Sequence, residues 1–493
     1  MTARDSAVSL IRGVRITGGS GIAAPDDPVD IALADGLITD VAPAGVLRPA
    51  GEVLNGDGCW IVPGLWDHHV HTVQWALDAQ RTALGDVASA AEAARRMASA
   101  SPLPDGRRVG AGFRDGLWPD EPSLMLLDEA TGEVPTYLIN ADVHSVWLNS
   151  AAFRREGFPT QPDGMLREDD AFEISRRLNA ADPATADAAV AEAARRAAAR
   201  GITGLVDFDM AWNAEAWRRR CAAGFRTHRV EFAVYPAALD RAIDEGLRTG
   251  MPLEGGAGLV HVGPLKLISD GSLGTRTAAC SHGYADDPGN HGVLTIPPAE
   301  LRDLLTRATA GGLDVAVHAI GDLAVASALD AFAWTQARGT VEHAQLVRHA
   351  DLTRFARLGV AASVQPRHAV DDRDLATRLW ADQPAVAYPL ASLMAAGAAV
   401  RFGSDAPVAP LDPWLTMAAA VTRTGDERPP WRPEERVSTQ AALRASTRHG
   451  EAEITPGAPA DVVLCAADPF DPAALERMPV AATLLEGRIT HLA

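Results

Sequence analysis

Residues 59–71 read CWIVPGLWDHHVH. Pro63-Gly64 opens a short apolar run that ends in His69-Val70-His71. Side chains alternate along a strand, so both imidazoles fall on one face. Asp67 alternates with them and is placed to accept a ring N–H as a supporting partner. His68 lies on the other face and reads as a bystander. Two histidines at the end of one strand make half a metal site. The pair alone is a weak signal and gains weight only if other strands end in matching residues.

Seven further apolar runs follow: 201–208, 228–236, 259–271, 313–322, 340–347, 359–366 and 399–407. Helical stretches such as 298–312 and 349–359 lie between most of them. Near-continuous apolar strands alternating with helices predict a buried parallel sheet, and eight of them predict an α/β fold closed as a (β/α)8 barrel. The span 63–450 exceeds the ~250 residues typical of such a barrel. The excess lies between the first two runs, so an insertion over the barrel mouth is expected at roughly 105–190. IALADGLITDVAP (31–43), ADVVLCAADP (460–469) and ATLLEGRITHLA (482–493) read as short strands around tight turns. Residues 1–62 and 451–493 are therefore expected to form one small β-sandwich domain from both chain ends.

Barrel active sites are built at the C-terminal strand ends. Lys266 ends the fourth run, His318 the fifth, His343 the sixth and Asp405 the eighth. Each alone has an ordinary structural reading. Independent core residues, however, have no reason to gather at one end of consecutive strands. Lys266 is also the only lysine among 45 basic residues, the others being arginine. An amine has chemistry that a guanidinium lacks.

The chain carries 64 acidic against 45 basic residues, a net charge of -19. That balance argues against nucleic-acid and anionic-membrane partners. The four cysteines form no CxxC pair and fit a reducing compartment. No run of about 18 apolar residues occurs, and a cytoplasmic location is expected. A small-molecule substrate is the expected partner, and a homo-oligomer is compatible with the chain. Trp118, His144, Trp147, Arg276, Asp322, Gln365 and His368 fall in loops expected to face the mouth, as candidate substrate contacts.

Several motifs together resemble the metal-dependent amidohydrolase superfamily, over essentially the whole chain. They are PGLWDHHVH (63–71), INADVHSVWLNS (139–150), GMLRE (164–168), KLISDGSLGTRTAAC (266–280), VHAIGD (317–322), VEHAQLV (341–347), SVQPRHA (363–369), FGSDAPV (402–408), WRPEERVSTQAALRASTRHG (431–450) and PGAPADVV (456–463). They are most similar to the amidohydrolase-3 branch, which includes N-substituted formamide deformylases. The resemblance implies His69, His71, His318 and His343 as metal ligands, and Asp405 as ligand and acid/base. It also implies that CO2 carboxylates Lys266, which then bridges two divalent ions, zinc being the first choice. The expected reaction is metal-assisted hydrolysis of a non-peptide C–N bond in an amide, N-substituted formamide or cyclic amide. Hydrolysis of an ester or lactone, or deamination, stands as the alternative. A catalytically silent scaffold predicts gaps among the six ligand positions, and there are none.

Overall fold

The computed structural model describes residues 7–16, 27–56, 58–78, 81–103, 105–179 and 182–493. Its central element is an eight-stranded parallel sheet. The strands are Leu65–Val70 (β1), Ile202–Asp207 (β2), Arg229–Val234 (β3), Val260–Ile268 (β4), Val315–Ala319 (β5), Gly339–His343 (β6), Ala361–Val364 (β7) and Val400–Phe402 (β8). One strand lies in each of the eight apolar runs. Every residue of β1, β2 and β5 is buried, because helices cover the outside and side chains fill the inside.

Neighbouring strands pair in sequence from β1 to β8. The final join differs from the rest. β8 meets β1 through a single parallel bridge between Val70 and Ala406. Around it, Asp405 N donates to His69 O at 2.8 Å and His71 N to Ala406 O at 2.9 Å. Asp67 Oδ1 accepts the backbone N–H groups of His69 (3.1 Å) and Ser404 (2.9 Å). Gly403 is required at this seam, since a Cβ there would stand 2.7 Å from His69 N and Cβ. The barrel is thus closed by the segments that carry His69, His71 and Asp405.

Both chain ends share a second sheet, running in the order 488–492, 480–485, 462–465, 60–63, 8–16, 29–34, 37–43, with 52–55 also paired to 8–16. Asp35 and Gly36, both at positive φ (52° and 74°), make the tight turn that joins two of these strands. The sheet encloses its own core, with Ile11, Val14 and Ile31 from one end meeting Val462, Leu464 and Leu484 from the other. The division is not sharp: Leu475, Met478 and Val480 pack into the barrel core.

The insertion is a five-stranded sheet, in the order 165–167, 145–148, 136–140, 108–113, 82–83, with helices on it. Its strands begin at Thr82 and its last helix ends at Leu178. The expected range of 105–190 is displaced at both ends. The two-residue strand at its start is too short to show periodicity. The Ala-rich helix Pro183–Ala198 packs Val190, Ala193, Ala194 and Ala197 into the barrel core and belongs to the barrel. No described helix is long and apolar enough to cross a membrane.

Candidate metal centre and substrate cavity

The barrel mouth holds a cavity of about 1210 Å³, counting its open end. His69, His71, Lys266, His318, His343 and Asp405 all line it. His69 comes from β1, and His71 follows one residue after that strand ends. The His69 and His343 rings are 4.8 Å apart, and those of His318 and His343 4.5 Å. Asp405 Oδ1 stands 3.4 Å from both His69 Nε2 and His71 Nε2, and Lys266 Nζ stands 3.4 Å from His69 Nε2. Ligands at ~2.0–2.1 Å from a tetrahedral ion stand about 3.4 Å from one another. The separations fit a shared cation, and neutral imidazoles with a carboxylate are the donor set for one.

Backbone conformation aims these side chains. Strict alternation would send Glu342 and His343 to opposite faces of β6. His343 instead adopts φ 71°, and Asp405 adopts φ 59°. Such conformations are costly away from glycine and recur at functional sites. They let Glu342 and His343 both address the site. Glu342 Oε2 lies 2.7 Å from His69 Nδ1, which leaves Nε2 directed at Asp405 and Lys266. The supporting carboxylate of His69 is therefore Glu342. Asp67, expected in that role, is committed to backbone N–H groups at the seam. His343 Nδ1 pairs with Gln365 Oε1 at 2.9 Å. His68 faces away and meets Thr447 O at 3.0 Å.

Burial lowers the pKa of His69 and His343 well below the ordinary range and keeps them in the neutral form that binds metal. Burial also brings Lys266 down to about 8. Burial works against the Asp405 carboxylate, but His69, His71 and His343 outweigh it and hold its pKa well below the usual value.

Of the expected substrate contacts, His144 and His368 line the cavity. The others do not reach it. Trp147 is fully buried in the insertion core, where its Nε1 donates to Ser123 O. Trp118 packs on Phe113 and donates to Val87 O. Arg276 is spent on Asp286 at 2.8 Å. Asp322 starts a helix and accepts from Ser281 N. Gln365 supports His343 from behind. These tryptophans were expected at the mouth because their segment borders it; the local sheet turns them inward.

His144 is held by Glu168 at 2.9 Å and packs edge-on against Phe172. Burial opposes the Glu168 charge, but His144, Thr277 and Thr275 prevail and bring its pKa to about 2. Sequence reading missed Gln74 and Ser175. Both line the cavity, 4% and 2% exposed, and Gln74 Nε2 and Ser175 Oγ have no hydrogen-bond partner. Gln74 is the third residue of the helix that follows PGLWDHHVH and carries no motif. Ser175 sits in an ordinary amphipathic helix, one turn beyond Phe172.

An eight-stranded barrel with imidazoles, a carboxylate and an amine converging at its mouth defines a class, the barrel hydrolases that work with bound metal. The comparisons narrow it. The sequence pattern of the amidohydrolase family matches residues 52–491, and the chain belongs to that family. It is 28% identical to the protein LONG AFTER FAR-RED 3 of Arabidopsis thaliana, covering 85% of this chain and 80% of that one. It is 25% identical to an N-substituted formamide deformylase of Arthrobacter pascens, covering 92% of each. A metal-dependent hydrolase of Pyrococcus horikoshii OT3 superposes with a TM-score of 0.78 at 24% identity, covering 98% of this chain and 99% of the other. Family and relatives support a hydrolytic enzyme.

Proposed function

We propose that the protein hydrolyses a non-peptide C–N bond in a small amide, N-substituted formamide or cyclic amide. The observation that carries this is the set of 3.4 Å separations among His69, His71, Lys266 and Asp405. In the proposed site His69, His71, His318, His343, Asp405 and a carboxylated Lys266 hold two divalent ions, zinc first. Bound there, the ions supply an acidified water and polarise the scissile carbonyl.

The chain's own residues do the rest. Lys266, buried with its pKa brought to about 8, is partly unprotonated near neutrality. Its amine adds to CO2, forming an N–C bond and releasing one proton. The carbamate replaces a cation with an anion, which arginine cannot do. Glu342 fixes the His69 ring, and Gln365 that of His343. Asp405 takes a proton from the attacking water and delivers it to the departing nitrogen, since an amine leaves poorly unless protonated. Burial keeps bulk water from competing for that proton.

Substrate selection falls to the walls. His144 and Ser175 come from the insertion, Gln74 from the helix after β1, and His368 from the segment after β7. Gln74 and Ser175 offer unused hydrogen bonds beside Phe172 and Met210, which suits a neutral polar group on an otherwise apolar substrate. Metal-replete protein should hydrolyse at least one member of a panel of N-formyl, N-acyl and cyclic amides, with release of a free amine or ring-opened product. Turnover confined to esters and lactones, with every amide inert, would overturn the C–N assignment.

A further inference from the structure

A second cavity, about 310 Å³ counting its open end, is lined by His343 and by Gln365, the residue bonded to His343 Nδ1. It adjoins the first, since His343 and Gln345 line both. Val364, Pro366, Ala369, Leu390 and Leu393 make most of its wall apolar. Of the polar side chains in its lining, Tyr388 and Gln345 are bonded to one another at 3.2 Å, whereas Arg423 and Gln365 carry donors without a partner.

Arg423 is 1% exposed. Its Nε donates to Trp431 O at 3.2 Å, its guanidinium lies 5.6 Å from the Trp431 ring centre, and Nη2 has no partner. Among the described residues no carboxylate stands within ion-pair distance of it. Glu435 acts on it from further off, but its two oxygens are engaged by Ser392 N at 2.9 Å and Ser392 Oγ at 2.5 Å. Gln365 is 3% exposed. Its Oε1 accepts from His343 Nδ1, which fixes the amide, and its Nε2 is left without a partner.

A buried cation without a contacting anion is costly, and so is a buried donor without an acceptor. One occupant removes both penalties. Water would satisfy the hydrogen bonds but leave the charge. We propose that this cavity binds a small monovalent anion, a halide such as chloride or a planar carboxylate such as formate, between Arg423 Nη2 and Gln365 Nε2. Nothing in the C–N chemistry requires this site. Its position gives it an influence all the same. An anion on Gln365 Nε2 polarises the amide and makes Oε1 a stronger acceptor for His343 Nδ1–H. That raises the donor strength of the opposite ring nitrogen.

The test uses the whole metal-containing protein. Crystals soaked in bromide should show an anomalous peak between Arg423 and Gln365. The Tm should rise saturably, by roughly 2 °C, with chloride or bromide, and not with gluconate at equal ionic strength. Arg423→Gln should abolish both effects. Formate that displaces the bromide peak identifies the carboxylate as the better ligand; bromide that persists identifies the halide. A cavity holding only water in saturating bromide, in wild-type crystals, overturns the proposal whether or not the variant folds. A Tm indifferent to the anion does so as well.

Discussion

The barrel strand ends and the inserted sheet border the same cavity, yet the residues singled out at the strand ends line it while most of those singled out in the insertion do not. At a strand end, topology decides orientation. A residue at the C-terminal edge of an inward position has nowhere to point but the mouth. In the insertion, nearness to the mouth decides nothing, because each strand has its own two faces. Trp147 sits on the strand Ser145–Leu148 beside the cavity and points away from it, while His144, three residues earlier and just before that strand, points in. The comparison teaches that position along a motif predicts where a side chain points where the fold fixes direction, and only proximity elsewhere.

The sharpest way to break that comparison is at the strand ends. Lys266→Ala should lose both metal and activity, with turnover down by four or more orders of magnitude. Lys266→Arg should fail as badly, because its charge has the wrong sign for a bridging anion. Metal analysis beside turnover checks this; a Lys266→Arg protein that retains two metals and activity would remove the carbamate. Asp405→Asn keeps an oxygen but loses the basic carboxylate. We expect metal to persist while kcat falls ~10²–10⁴-fold. Near-normal turnover in that variant would move the proton transfer to another group.

Glu342→Gln sharpens the contrast between ligand and support. Glu342 touches His69 and not the substrate cavity. Loss of its charge should weaken metal affinity ~10–100-fold. Activity should recover when metal is supplied in excess, which Asp405→Asn cannot do. Competition with a chelator measures the first effect, and titration with metal the second.

How far the sequence carries follows from the same contrast. All eight barrel strands and both halves of the end sheet were legible, because continuous apolar runs and an Asp-Gly turn are local signals. Glu342 was not. With His343 as the inward residue, strict alternation sends Glu342 outside. The positive φ of His343 breaks that inference, and nothing in VEHAQLV announces it. Gln74 and Ser175 were invisible for another reason. A cavity-facing polar residue on a helix differs from a solvated one only in what lies opposite.

Within the insertion, the His144–Glu168 pair gives a pH signature. The Glu168 pKa falls from 4.5 unfolded to about 2 folded. A depressed carboxylate stabilises the fold above its unfolded pKa and loses that stabilisation as pH falls toward its folded one. The contribution should therefore be complete above about pH 5 and fade between about 4.5 and 2. A shift of this size corresponds to a few kcal/mol, about 3 at most. Denaturant unfolding of wild type and Glu168→Gln across pH 3–6 should show a gap that narrows on acidification. A gap independent of pH would mean that Glu168 contributes by packing.

The smallest expected effect separates two neighbours in the insertion. Ser175 offers the cavity a hydroxyl with no partner, while Trp147 offers it nothing. Ser175→Ala removes an unused hydrogen bond at no cost in packing. Substrates able to accept that bond should lose roughly 5–10-fold in kcat/KM, the worth of one hydrogen bond, and apolar substrates should lose little. Trp147→Phe keeps an aromatic ring but gives up the bond to Ser123 O. It should lower stability and scale every substrate alike. The ratio of kcat/KM between a polar and an apolar amide isolates the difference, because effects on folding and metal content cancel in it. If Trp147→Phe moves that ratio and Ser175→Ala does not, the orientation drawn here for the insertion is reversed, and selectivity resides in the tryptophan after all.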